Sequence, residues 1–257
     1  MRFDHFMNNI AIPDTHNANK VYFWHSGDTE ENWKKGQKRF GPAWRYYNDP
    51  IEYKFNSLGY RGPEPSEVTD KHFIALGCSH TAGIGVHIQD TYCEVLSREL
   101  NLSYMNFGFP GGAQNLIWTN ATLIAKNSNQ LPEFVVLQWP EIERLTLFHE
   151  DRINLFLPNF HGDDFTTRAE RNLYTSMLKC ENFLYAQAIT YYQSTNTMLN
   201  ALGIKTVNFT LSELTSELFG IHCIRGWTQD ESVAARDLIH PGPKHHIEMA
   251  NYIKSNL

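Results

Sequence analysis

Apolar positions follow two regimes along the chain. From residue 1 to 70 they are mostly aromatics scattered among Gly, Pro and charged residues, with no sustained period of 2 or 3.6. This stretch predicts an aromatic-rich arm, irregular with short strands at best, packed on the domain that follows. Its aromatic density argues against full disorder. "PEPSEVTDK" reads as an exposed connector into a second region, 71–257.

From residue 72 the pattern alternates. "HFIALGC" is a short continuous apolar run, as for a strand buried on both faces. "TYCEVLSREL" spaces Cys93, Leu96 and Leu100 as a helix does. "SYMNFGF", "LPEFVVLQW" and "IKTVNFT" read as further strands, and "AQNLIWTNATLIAKN" as a helix. Residues 141–166 read as an irregular insertion, and the stretch from Arg168 to Gly203 as one long helix stopped by the glycine. "GPKHHIEMANYIKSNL" closes the chain as an amphipathic helix. Strands alternating with helices predict a three-layer α/β/α sandwich of flavodoxin-like type with a mostly parallel sheet of about five strands.

Composition narrows the function. The 257 residues are 42% hydrophobic and 19% charged, which is enough to bury a proper core. A net charge of −6 provides no basic field for phosphate backbones, so no nucleic-acid partner is expected. Cys78, Cys93, Cys180 and Cys223 are too scattered for a zinc ribbon or a disulfide framework. The first ten residues lack the features of a signal peptide, and no run approaches the ~20 apolar residues of a membrane span. A cytoplasmic protein with no membrane partner is expected, virion-associated if a phage encodes it.

Active groups of a parallel sheet collect at the carboxyl ends of its strands. The loop after "FIALG" is therefore a privileged position, and it carries Cys78, Ser79 and His80 in succession. Its glycines, Gly77, Gly83 and Gly85, fit neither a P-loop nor a dinucleotide fingerprint, and no lysine lies between them. Cys78 and His80, even with His245 and His246, match no zinc spacing, so neither metal nor cofactor is expected. A nucleophilic Ser79 fits better, because backbone amides at such a turn can hold an oxyanion. "DLIHP" supplies a base: a turn at Pro241 can set Asp237 on one ring nitrogen of His240 while the other faces Ser79.

Taken together, "IALGCSHTAGIGV", "MNFGFPGGAQN" and "DLIHP" resemble the first, second and last blocks of the SGNH (GDSL-type) hydrolases, in the same order, and "NSLGYRG" resembles a lead-in found in many members. The resemblance implies the SGNH hydrolase fold, with Ser79 as nucleophile, His240 as general base and Asp237 as its orienter. It assigns the oxyanion hole to the amides of Ser79 and Gly111 plus an asparagine side chain. Two positions depart from the pattern. Cys78 stands where the family usually has Asp, and the third block reads "LQWPEIER" with no asparagine. Gln138 or Asn115 can offer the missing amide.

The resemblance implies cleavage of a small-molecule or carbohydrate ester, with O-acetyl groups on sugars as first expectation and no cofactor. A non-catalytic binding or virion-associated module retaining the fold is the alternative, and acyl transfer by the same triad is a further one. Plainer readings stand beside these. Ser79 can serve as a helix cap, Gly111 as a turn, and His80, His245 and His246 as capping or solvated residues. Trp24, Trp33 and Trp44 read as packing, with sugar stacking as the sharper option. Arg61, Arg144 and Trp139 are candidate substrate-binding residues.

Overall fold

The computed structural model describes residues 9–127, 130–149, 153–158, 167–225 and 234–257. The arm contains two short paired strands, β1 (Val21–Tyr22) and β2 (Tyr53–Lys54), with the helix α1 (Glu30–Phe40) between them. That helix corrects the expectation of short strands at best. Polar signals build it: the Thr29 hydroxyl accepts the Asn32 amide, Glu30 and Glu31 occupy the first turn, and Lys34 and Lys35 pair with them one turn on. With few apolar residues it shows no apolar period, although Trp33 docks its indole N–H on the Tyr46 carbonyl at 2.8 Å. Trp44, Tyr46, Ile51, Tyr53 and Phe55 form a buried cluster with Ala82 and Ile84 of the following region.

The rest follows in order as β3 (His72–Gly77), α2 (Ser79–Ala82), α3 (Tyr92–Leu100), β4 (Ser103–Gly108), α4 (Gln114–Asn127), β5 (Phe134–Trp139), β6 (Leu145–Phe148), β7 (Ile153–Phe156), α5 (Arg168–Leu178), α6 (Glu181–Ala201), β8 (Lys205–Thr210), α7 (Glu213–Phe219), β9 (His222–Cys223) and α8 (Pro243–Ser255). The five-stranded sheet runs β4-β3-β5-β8-β9 with every pairing parallel. In order of appearance this is 2-1-3-4-5, the doubly wound flavodoxin-like arrangement.

Alternation along β3 explains the layers. Ile74 and Leu76 face one side, packed with Leu116, Ile117 and Ile124 of α4 and Leu199 of α6. Phe73 and Ala75 face the other, packed with Cys93 and Leu96 of α3 and Met249 and Ile253 of α8. Both faces are covered, which is why the strand reads as an unbroken apolar run.

Two further expectations are corrected. The stretch 141–166 is not irregular where it is described: β6 and β7 pair antiparallel, Leu145 opposite Phe156, while residues 150–152 and 159–166 lie outside the described residues. The side chains of Ile142, Phe156, Tyr174, Met177 and Leu184 make a small separate core beneath this hairpin. The long helical stretch is two helices, because Cys180 leaves the helical path with φ −109° and ψ 68°, and a capping box of Thr167 and Glu170 starts α5 on its own.

Gly77, at the end of β3, has no room for a side chain. A Cβ there would meet Thr81 Oγ1 at 2.1 Å and Gln138 Oε1 at 2.8 Å. Gly77→Ala is therefore expected to destabilise the protein by about 1–3 kcal/mol through overpacking. Urea unfolding measures this, and an unchanged midpoint would show that the loop can give way.

Candidate active site

The sheet reverses its winding between β3 and β5, and in open α/β sheets the crevice at that point, beyond the carboxyl ends, is where ligands bind. The loop 78–86 leaves β3 there, and Gln138 occupies the penultimate position of β5. Cys78 donates its backbone N–H to Gln138 Oε1 at 3.0 Å, and the Thr81 hydroxyl donates to the same oxygen at 3.3 Å. Cys78 Sγ lies 3.1 Å from that oxygen and, when protonated, donates to it too. These donors fix the orientation of the Gln138 amide, whose nitrogen makes no hydrogen bond among the described residues.

Ser79 opens α2, with Cys78 as the preceding cap residue, so the serine is not the helix cap. Its Oγ lies 4.0 Å from Cys78 Sγ and makes no hydrogen bond to His240 among the described contacts. The neighbouring His80 ring meets the His240 ring edge-on, centroids 5.6 Å apart. The structure thus brings the loop after β3 against the turn before α8.

That turn is built around Asp237. Its Oδ1 accepts the backbone N–H groups of Ile239 and His240, both at 3.0 Å, and its Oδ2 takes the hydrogen bond from His240 Nδ1. Leu238, between them, has φ 62°, a left-handed conformation that costs a non-glycine residue about 1–2 kcal/mol. The surroundings hold it: Leu238 packs on the arm's aromatic cluster, and the Ala235 amide donates to the His240 carbonyl at 3.0 Å. Strain of this kind at a turn carrying an acid–base pair is common in active sites.

Burial alone would drive the His240 pKa down, but the Asp237 carboxylate and its hydrogen bond, helped by Cys78, raise it above the ordinary histidine value of 6.5. Burial works the opposite way on Asp237, and the charge of His240 with the converging N–H donors outweighs it, holding the carboxyl below its usual range. The Asp237 side chain is fully enclosed while that of His240 keeps 12% of its surface exposed, so the imidazole is the reachable end of the pair. At Cys78 burial raises the pKa, but the charges of His80 and Arg144 bring the thiol down to about 6.

Two backbone amides near these strand ends lack partners: among the described residues neither the Ser79 nor the Gly111 N–H donates to another group. Gly111 has φ 79°, and a Cβ there would lie 3.0 Å from Leu155 of β7, so the turn requires glycine. The hairpin itself is fastened to this turn by Asn115, whose side-chain amide donates to the Thr146 carbonyl at 2.7 Å and accepts its N–H at 3.2 Å. Asn115 is thereby occupied, whereas the Gln138 amide nitrogen makes no hydrogen bond among the described residues.

The expected substrate-binding residues divide. Arg61 is 1% exposed and donates to the carbonyls of Gly83, Val86 and Glu52, bracing the loop that carries Ser79 from behind. Trp139 is fully buried, its N–H on Asn208 Oδ1 at 2.8 Å, in the core with Tyr192 and Phe219. Trp139 therefore serves the core, while Arg61 braces the loop and also borders a cavity with Glu52, Glu64 and His87. Arg144 pairs with Glu141 at 2.5 Å, and its charge acts on both Cys78 and His240. No group of three or more His, Cys, Asp or Glu among the described residues is arranged to hold a metal ion. Sequence reasoning passed over Leu238 and the arm's Asp28, Tyr53 and Gly27, described below. Leu238 is an unspecified position inside "DLIHP", and Asp28, Tyr53 and Gly27 belong to no local motif.

No protein-family model matches the chain, and no curated protein does. Solved structures similar to it include a psychrotrophic esterase, EstA, from Pseudoalteromonas sp., at 11% identity and TM-score 0.45 over 73% of this chain and 96% of that one. TesA is similar at 12% identity and TM-score 0.46, over 73% and 98%. An acetyl xylan esterase, Est2A, from the rumen bacterium Butyrivibrio proteoclasticus is similar at 12% identity and TM-score 0.42, over 80% and 66%. The chain's own parallel sheet has the order 2-1-3-4-5, with Ser79 after its first strand and Asp237 and His240 before its last helix.

Proposed function

We propose that the protein is a serine hydrolase that cleaves carboxylic esters through an acyl-serine intermediate. One observation carries this reading above the others: Asp237 holds His240 through Nδ1, with the imidazole ring against the loop of Ser79. In this role His240 Nε2 takes the proton of Ser79 Oγ as the oxygen attacks the ester carbonyl. The oxyanion that forms is met by the amides of Ser79 and Gly111 and by the Gln138 side chain. Collapse breaks the bond to the alcohol oxygen, which leaves with the proton from His240. Water, deprotonated by the same imidazole, then releases the acid and frees Ser79. Serine–histidine hydrogen bonds are often long before substrate arrives and tighten in the complex.

Small acyl groups on a carbohydrate are the proposed substrates, and the test is acetate release from peracetylated glucose and acetylated xylan beside p-nitrophenyl esters of increasing chain length. Acetate release that fades with longer acyl chains supports the reading, and no turnover of any ester overturns it in favour of a binding module. Methyl acetate formed in added methanol would identify acyl transfer instead.

The pH dependence follows from the raised His240 pKa. Protonated His240 cannot accept the serine proton, so kcat/KM should rise with pH through an apparent pKa above 6.5. An acid limb at or below that value in the profile of kcat/KM would contradict the assigned pairing.

A further inference from the structure

The arm carries a buried ion pair that ends one residue from the site. Arg236, the neighbour of Asp237, is 1% exposed and Asp28 is fully buried. Arg236 Nε donates to both Asp28 oxygens at 3.0 Å, and one terminal nitrogen donates to Asp28 Oδ2 and to the Phe23 carbonyl, each at 2.6 Å. Its guanidinium also lies 4.3 Å from the Trp24 ring centroid. The Tyr53 hydroxyl donates to Asp28 Oδ2 and accepts the Gly85 N–H at 2.8 Å. Gly85 in turn takes the Arg236 amide on its carbonyl at 2.8 Å.

This network encloses the Asp237 carboxylate from two sides. A Cβ on Gly85 would lie 3.1 Å from Asp237 Oδ1. A Cβ on Gly27, next to Asp28, would lie 3.5 Å from Asp237 Oδ2 and 3.6 Å from His240 Cε1. The left-handed Leu238 packs on the same arm cluster. A buried ion pair stabilises a fold little more than well-packed apolar residues of the same volume would, so stability alone does not account for it. What it supplies is a fixed register, and here the register is that of the turn holding Asp237 and His240.

We infer that Asp28 and Tyr53 of the arm are positioning residues, which act through Arg236 and Gly85 to hold the Asp237–His240 pair in its working orientation. The inference rests on the proposed hydrolase reading, and neither residue touches the reacting atoms. Misplacing a catalytic group by about 1 Å can cost about 10²-fold in rate.

The test compares full-length wild type with Asp28→Asn, which keeps the side-chain shape, and the milder Tyr53→Phe, which removes a single hydroxyl. Lys34→Ala, on the exposed face of α1, is the control. Two readouts are taken on samples whose circular dichroism matches wild type: kcat and KM on p-nitrophenyl acetate, and the low-field proton resonance of His240 Nδ1–H, assigned by its loss in His240→Ala. The expected result is a fall in kcat of about 10- to 100-fold for Asp28→Asn and a smaller fall for Tyr53→Phe, with KM nearly constant. The resonance moves or broadens in both variants and stays in place in Lys34→Ala. If Asp28→Asn does not fold, Tyr53→Phe decides alone. Unchanged kcat together with an unmoved resonance overturns the inference. An inert wild type overturns the hydrolase reading instead, and the resonance then still decides whether the arm holds the pair.

Discussion

Ser79→Ala is expected to lower kcat on p-nitrophenyl acetate by about 10⁶-fold while the fold persists, and His240→Ala by a comparable factor. In the proposed mechanism Ser79 and His240 act as one unit, since the base has nothing to deprotonate without the serine and the serine is unreactive without the base. The double variant should therefore be no slower than either single one. Asp237→Asn should cost about 10⁴-fold, because an amide in place of the enclosed carboxylate no longer stabilises the imidazolium or fixes its tautomer. Ser79 contributes little to the core beyond its place in the four-residue α2, so thermal unfolding of Ser79→Ala should match wild type. Steady-state kinetics on the purified proteins check all of this. A residual rate within about tenfold of wild type in Ser79→Ala would remove the serine from the reaction.

The second large effect belongs to Gln138. Its oxygen is anchored by Cys78 and Thr81, and in the proposed mechanism its nitrogen donates to the developing oxyanion. Gln138→Glu preserves the shape and the acceptor but removes the donor. It is expected to lower kcat by about 10²- to 10³-fold with KM little changed, the effect of deleting one oxyanion donor. Asn115→Ala provides the contrast. It loosens the hairpin through Thr146 and should affect stability more than kcat. A Gln138→Glu variant within about threefold of wild-type kcat would confine Gln138 to bracing the loop.

Much of the central architecture was legible because its physics is local. Strands buried on both faces read as unbroken apolar runs, and α3, α4 and α8 repeat their apolar residues at helical spacing. Ser79, Asp237 and His240 stood out because short blocks mark them in order. The first misreading was α1, whose stability comes from caps and surface ion pairs in a segment with little apolar periodicity. The hairpin of β6 and β7 was hidden for a related reason, since each strand has only four residues. The division between Gln138 and Asn115 could not be read from sequence. Which amide is free depends on contacts with Thr146 and Cys78, distant along the chain. Asp28 and Arg236 are 208 residues apart, and no spacing rule reaches that far. Arg61 was expected at a cleft from its place after a turn, and its contacts with the carbonyls of the loop that carries Ser79 depend on residues distant along the chain, as does the burial of Trp139.

The central claim is that Ser79 is a nucleophile activated by His240. The most direct measurement is intact-mass and peptide mass spectrometry after treatment with a fluorophosphonate probe, which a serine attacks only when its oxygen is activated. The account predicts one adduct per chain on the peptide containing Ser79, absent in Ser79→Ala and formed far more slowly in His240→Ala. A wild-type protein that remains unmodified, or an adduct located on another residue, would contradict it.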